Sequence, residues 1–477
     1  MEKSSSPTEK YQEGFVEITI YTRHSVRCTV GKVTDYYEIL EILGEGAFGC
    51  VRKVIHKELK VFMAMKSIIK SFVELSSYKN MLLEVDILRK LDHPNILKIN
   101  EVIEDSKCFH IVTEICTGGE LLERLIGEKQ LKEKEVASYM YQILSAISYC
   151  HSKKVLHRDI KPENLMLEDP SEEAPLKIID FGISKIIDSQ NKYFKVGKAY
   201  YSAPETFDGT YIDKSDVWSC GIIMYLMLGG YLPFSKKPNT TLAYEIQNSQ
   251  VEFPPKEWNS VSAEAKALVC LLLTKNSDNR PTAEEILSNP WFQQFLNSSG
   301  RKINLNSIQN LQAFQCKTKI QQATLEYIVS HLATNDEIKS LKETFMALDT
   351  NGDGKLSIEE ISHALDLNNS IRLAGISEVI KRCDSDHSGF IDYTEFLSAT
   401  IDWKMFLCNK KLEAAFRAFD LDGNGQIDLN ELKEMIGGID EVGCMNMMCQ
   451  SDKNGDGGLD FEEFKEICLE ISIIPAV

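Results

Sequence analysis

No stretch of this 477-residue sequence approaches the ~18 consecutive apolar residues of a membrane-spanning helix, so no such helix is expected. The first ten residues, MEKSSSPTEK, are polar, and a secretory leader is not expected there. Residue 2 is Glu2 rather than Gly, which excludes N-myristoylation of the chain as written. There are 13 cysteines but no CxxC pair, and Cys444 and Cys449 are too far apart and lie among methionines. A disulfide framework is therefore not expected. The cysteines read as reduced thiols of an intracellular, cytoplasmic protein, with peripheral membrane association of residues 1–35 left open. Positive charge is scarce at one end. Residues 341–477 carry 12 Lys/Arg against 27 Asp/Glu, a net of −15, whereas the first 340 carry 41 against 44, a net of −3. That asymmetry argues against a nucleic-acid partner and for cation binding by the C-terminal part.

What is present begins with an internal repeat. Four segments open with Asp at 349, 384, 420 and 452, starts 35, 36 and 32 residues apart. Each has Gly at position six (Gly354, Gly389, Gly425, Gly457), an aliphatic residue at position eight and Glu at position twelve. This is the spacing of a calcium loop, whose hard oxygen donors and bidentate final Glu suit Ca2+ better than Mg2+. The expected ligands are Asp349, Asn351, Asp353, the backbone of Lys355, Ser357 through water, and Glu360 in loop one. Loop two offers Asp384, Asp386, Ser388, the backbone of Phe390, Asp392 and Glu395. Loop three offers Asp420, Asp422, Asn424, the backbone of Gln426, Asp428 and Glu431. Loop four offers Asp452, Asn454, Asp456, the backbone of Gly458, Asp460 and Glu463. Leu356, Ile391, Ile427 and Leu459 are expected to pair the loops as short strands, giving two lobes and four calcium sites. Met435, Met445, Met447 and Met448 read either as core filler or as an adaptable groove exposed by calcium.

The first two-thirds holds phosphoryl-transfer motifs. Gly44, Gly46 and Gly49 form a GxGxxG with Phe48 and Val51. The strand-like CVRKVIHK that follows points to a glycine hairpin over phosphates rather than to a loop that runs into a helix. Lys66 ends the short apolar strand FMAMK, and Glu84 lies in the helical pattern NMLLEVDILRKL. A Lys66–Glu84 ion pair would hold the ammonium on the α- and β-phosphates of ATP. In HRDIKPEN, Asp159 would accept or orient the substrate hydroxyl proton, Lys161 would neutralise the transferring phosphoryl, and Asn164 would hold a magnesium ion. Asp180 of DFG would ligate a second magnesium, and Ala203-Pro204-Glu205 closes the activation segment.

With these motifs in one order, residues 36–292 resemble a eukaryotic protein kinase domain. The resemblance implies a Glu205–Arg280 pair, Asp216 bracing the catalytic loop, a small gatekeeper at Thr113, and hinge backbone at Glu114 and Cys116 for adenine. Glu120 and Glu163 fall where family members read an upstream Arg of the substrate; the alternatives are surface carboxylates or a ribose contact. Lys161, two residues after the catalytic Asp, implies a Ser/Thr acceptor. One departure stands out. The family has Thr where this chain has Lys198, which cannot accept a hydrogen bond. Its stem either snorkels outward or its charge competes with Lys161. Ser189, Tyr193 and Ser202 are candidate phosphosites facing Arg158, with Asp188 as an acidic substitute.

The remaining segments complete the architecture. Residues 1–35 are an N-terminal extension in which Ile18 to Val30 forms either a strand or an arm. Residues 293–340 are a connector with Ile303, Leu305, Ile308, Leu311, Phe314, Ile320, Leu325, Ile328 and Leu332 at helical spacing, with Lys302, Lys317 and Lys319 nearby. This segment is either a helix packed permanently on a neighbour or a regulatory helix. In the second case it plugs the kinase cleft at low calcium and is captured by the sensor at high calcium. Residues 341–477 are the calmodulin-like domain. Together the parts resemble the calcium-dependent protein kinases of plants and apicomplexan parasites over about nine-tenths of the chain. The expected fold is a two-lobed α+β protein kinase domain followed by an all-α domain of four EF-hands. The expected protein needs no separate calmodulin. Two rival readings remain: a catalytically weak calcium-sensing scaffold with a kinase fold, and a kinase whose loops hold calcium constitutively.

Overall fold

The computed structural model describes residues 27–46, 49–70, 75–128, 130–181, 184–186, 199–296, 303–316, 318–367, 376–436 and 441–469. Phe48, Ser189, Tyr193, Asp188, Lys198, Lys302 and Lys317 lie outside these residues.

The N-terminal lobe is built on a six-stranded sheet, β1 (Arg27–Val30), β2 (Tyr37–Gly46), β3 (Gly49–His56), β4 (Phe62–Ile69), β5 (Ile99–Glu104) and β6 (Cys108–Thr113), in the order β1-β5-β6-β4-β3-β2. β1 runs parallel to β5 and the other pairs are antiparallel. Of the two readings for Ile18 to Val30, the strand holds for its last four residues. Period-two alternation gives the sheet two different faces. Met63 and Met65 of β4 join Val54, Ile103 and Val112 in one small core, while Ile68, Phe109 and Ile111 face the large core. The helix α1 (Leu75–Lys90) packs on that second face through Val85 and Leu88.

The C-terminal lobe surrounds α2 (Glu133–Ser152) and α3 (Asp213–Gly229). α3, DKSDVWSCGIIMYLMLG, is apolar on nearly every side, as a helix enclosed by its neighbours must be. Its buried polar groups, Ser215, Asp216 and Ser219, are hydrogen-bonded, and Asp213 and Lys214 of its first turn are partly exposed.

The connector is two helices, α4 (Leu305–Ala313) and α5 (Lys319–Leu332), rather than one. Thr318 starts the second with a capping box, its hydroxyl accepting the Gln321 N–H and the Gln321 side chain returning to the Thr318 backbone. Ile308, Leu311, Phe314, Ile320, Leu325, Ile328 and Leu332 are all buried in one core with Phe345, Phe396, Phe416 and Phe464 of the EF-hand region. α6 (Asn335–Leu348) leads into loop one, and α7 (Tyr393–Thr400) leaves loop two. The expected loop pairing is present. Leu356 pairs with Ile391, and Ile427 exchanges backbone hydrogen bonds with Leu459 at 2.9 and 3.0 Å. Met435 and Met448 are core, Met447 is partly buried against it, and Met445 is exposed.

Candidate active site and calcium loops

The β2–β3 connection is an antiparallel hairpin with Gly46 opposite Gly49, as a phosphate-covering loop requires. At Gly49 the choice of residue is forced: an added Cβ would lie 1.8 Å from the Ser67 carbonyl oxygen on β4. Gly44 meets no such limit. Val51 pairs with Lys66 across the sheet. Lys66 Nζ lies 3.1 and 3.3 Å from the two Glu84 carboxylate oxygens, so α1 is docked with its glutamate inward. Burial works against the Lys66 charge, but Glu84 and Asp180 outweigh it and hold its pKa above the ordinary lysine range.

The catalytic loop is fixed from below. The buried Asp216 carboxylate accepts the backbone N–H groups of His157 and Arg158 at 3.0 and 2.9 Å, together with the Tyr211 hydroxyl at 2.7 Å. These bonds hold Arg158 at φ +73°, a left-handed conformation that a non-glycine residue keeps only under constraint. Asp159 then faces Lys161, with which it forms an ion pair, and Asn164, whose Nδ2 donates to the Asp159 carbonyl and carboxylate at 2.8 and 3.1 Å. Asp180 sits at φ +62°, next to Phe181, whose ring packs edge-on against His157 at 4.6 Å. Lys66, Glu84, Asp159, Lys161, Asn164 and Asp180 are thus set into one framework at the junction of the lobes. Arg280 is fully buried and pairs in two-pronged fashion with Glu205 at 2.8 and 3.0 Å. That pair ties the end of the activation segment to the C-terminal lobe.

At the hinge, Thr113 is buried and its hydroxyl donates to the Glu114 carbonyl at 3.1 Å. The Glu114 N–H donates to the Lys98 carbonyl, so it is already taken within the sheet. The Glu114 side chain accepts from the Lys98 N–H and Lys177 Nζ, each at 2.8 Å. Cys116 is partly buried, and burial pushes its thiol up to about 12. Glu120 bridges to Met166 through the backbone, and Glu163 lies in the short helix Pro162–Asn164 close to Tyr201.

All four loops fold as ligand cradles. The opening aspartate accepts the N–H of the position-six glycine at 3.0, 2.8, 2.9 and 2.9 Å in loops one to four. Those glycines have φ between 78° and 91°, where a side chain would strain the turn. Each closing glutamate reaches back to the loop's start: Glu360 to Thr350, Glu395 to Ser385, Glu431 to Leu421 and Glu463 to Lys453. Carboxylate oxygens of Asp384, Asp386 and Glu395 lie within 4.8 Å of one another, as do those of Asp420, Asp422 and Glu431. In loop one, burial and then the charges of Asp353 and Glu360 push the Asp349 carboxyl well above the ordinary range. Such crowded, convergent oxygens fit a hard divalent cation, which would relieve their mutual repulsion.

A second set of functional residues had no signal in the sequence. The EF-hand region is docked on the kinase domain. Asp92 accepts the N–H and hydroxyl of Thr394 on α7 at 2.7 and 2.8 Å. Buried Lys342 of α6 forms an ion pair with buried Glu168, and the Tyr141 hydroxyl donates to the Thr350 carbonyl at 3.2 Å. Burial raises the Glu168 carboxyl, but Lys342 and Lys177 outweigh it and hold it below the ordinary range. Lys177 thereby links this pair to Glu114 of the hinge.

A catalytic framework for phosphoryl transfer and paired cation loops in one chain define a protein kinase with its own EF-hands. Residues 37–292 match the family described as "Protein kinase domain", and residues 338–401 and 409–469 match "EF-hand domain pair". The chain is 35% identical over 459 residues to calcium-dependent protein kinase 4 of Plasmodium falciparum, covering 92% of this chain and 87% of that protein. It is 36% identical over 444 residues to calcium-dependent protein kinase 5 of the same organism, covering 91% and 78%. With calcium-dependent protein kinase 3 of Plasmodium berghei it shares 35% over 453 residues, covering 92% and 81%. The chain belongs to the calcium-dependent protein kinases. It is an enzyme that acts on proteins with ATP and a divalent metal, and its built-in EF-hands fit regulation without a separate calmodulin. Among the described residues, no helix is long and apolar enough to cross a membrane.

Proposed function

We propose that this kinase transfers the ATP γ-phosphate to Ser or Thr of protein substrates only when calcium fills its four loops. At low calcium the 293–340 connector blocks the cleft, and calcium releases it. The observation that carries this reading is the burial of both connector helices in the EF-hand core, the captured state of such a switch.

In the reaction, Lys66, held by Glu84, positions the α- and β-phosphates. Asp159 orients the acceptor hydroxyl and receives its proton as the phosphorus–oxygen bond forms. Lys161 steadies the charge on the transferring group. Asn164 and Asp180 would hold magnesium, which supplies charge neutralisation on the phosphates when bound. Gly44, Gly46, Phe48, Gly49 and Val51 would cover the nucleotide, with the Glu114 carbonyl and Cys116 backbone at adenine. Glu120 and Glu163 would read a basic residue upstream of the acceptor. The cytoplasm is the proposed location, since the described cysteines are free thiols.

The test is phosphate transfer from Mg-ATP to an Arg-x-x-Ser peptide, in excess chelator and at micromolar free calcium. Activity only with calcium is expected. Asp180→Asn is expected to abolish transfer in both conditions while calcium binding survives. Equal wild-type activity in both conditions overturns the switch and leaves the enzyme.

A further inference from the structure

Loop one differs from the other three in what surrounds it. An added Cβ at Gly389, Gly423, Gly425, Gly455 or Gly457 would meet nothing within 4 Å. At Gly352 it would lie 2.9 Å from the Tyr141 hydroxyl, and at Gly354 2.6 Å from the His93 ring and 3.0 Å from Tyr149. Gly352 and Gly354 are buried, whereas the equivalent glycines of the other loops are exposed. The Thr350 carbonyl, at position two, takes the Tyr141 hydrogen bond. Loop one is therefore seated backbone-first on α2 of the kinase.

We propose that loop one is a composite calcium site, its outer wall supplied by the kinase domain. This rests on the reading that loop one binds calcium. The face that meets α2 has its shape only when Asp349 and Glu360 draw the loop closed. Without a cation, three crowded carboxylates, Asp349, Asp353 and Glu360, oppose that closed form. Docking on Tyr141 and His93 selects the closed form, and so does calcium. By linkage, docking must raise loop-one affinity by the same factor that loop-one calcium strengthens docking. Loop three shares a cleft with His56 and Glu58 of the N-terminal lobe but its glycines face open space, and the loop-four glycines Gly455 and Gly457 are likewise open, so both stand outside the coupling through Tyr141 and His93. Calcium release from loop one is thus slower in the docked form than in the undocked one, and it reports the docked state.

The test follows calcium release by stopped flow, mixing the calcium-loaded full chain with excess fluorescent chelator. Glu360→Gln identifies the loop-one phase as the one it removes. Tyr141→Ala and Lys342→Ala are expected to speed that phase about fivefold or more. Loops three and four should keep their rates, while loop two, tied through Leu356 and Ile391, moves less. Tyr141→Phe keeps the ring and loses one hydrogen bond, so it falls between. Lys342 lies on the sensor, so its variant carries the test if Tyr141→Ala does not fold. An unchanged loop-one phase overturns the proposal, and so does equal acceleration of loops three and four. If Glu360→Gln removes no calcium from the total bound, the calcium reading of loop one fails, and the proposal with it.

Discussion

His93 is a fully buried imidazole whose two nitrogens meet the Ser145 hydroxyl and the Asn95 N–H, both at 3.0 Å. Burial holds it neutral, with its pKa pushed down to about 3. The unfolded side chain titrates near 6.5. Below that pH the unfolded state takes up a proton that the folded state refuses, so stability falls as pH drops from 6.5 toward 3. The slope is about 1.4 kcal/mol per pH unit. His93→Gln removes this titration. Urea unfolding of both chains should show the wild type's advantage shrinking by about 2 kcal/mol between pH 6.5 and pH 5. Parallel pH dependences would mean that His93 is not held neutral. His93 also illustrates what single residues reveal. Asp159, Asn164 and Asp180 were legible because chemistry demands those types at those spacings. His93 was not, because its role depends on a loop some 260 positions away.

At the scale of elements, periodicity located the connector but not its break. Apart from Ile303, which is partly buried against the core, the apolar residues at helical spacing are core residues where their side chains are described, yet the chain forms two helices with Phe314 to Thr318 between them. The capping box at Thr318 and Gln321 was the available signal. Each captured side chain has a calculable effect. Ile328 is fully buried on α5, and truncation of such a residue costs about 3 kcal/mol. On the proposed switch, in which capture is linked to four calcium-binding events, Ile328→Ala should raise half-activating calcium about threefold to fourfold. Activity at saturating calcium should approach the wild type. An unchanged calcium requirement would show that Ile328 is buried equally well at low calcium, and that the connector does not change its partner.

At the scale of the molecule, the kinase and sensor meet through residues hundreds of positions apart, which no local pattern in one sequence exposes. Asp92 and Thr394 are separated by 302 positions, and Glu168 and Lys342 by 174. Both contacts are buried, one an ion pair and the other a carboxylate held by a neutral N–H and hydroxyl, so each is weak evidence for stability but strong evidence for a specific pose. Removing one partner leaves the other desolvated only in the docked form. The cost therefore falls on docking and not on either domain alone. Asp92 caps the first turn of α7 from outside the sensor, adding a helix-dipole contribution to its two hydrogen bonds. Asp92→Asn and Thr394→Val, taken singly and together, form a cycle on this contact. The coupling should be about 1–3 kcal/mol, as for neighbouring buried polar groups. Each single variant should raise the calcium needed for half-activation and leave basal transfer in chelator untouched, because the undocked form never makes the bond. Additive effects of the two substitutions would separate Asp92 from Thr394. A change in basal activity would place Asp92 in the kinase's own stability, and the calcium-loaded sensor would then be captor of the connector without being a brace for the enzyme.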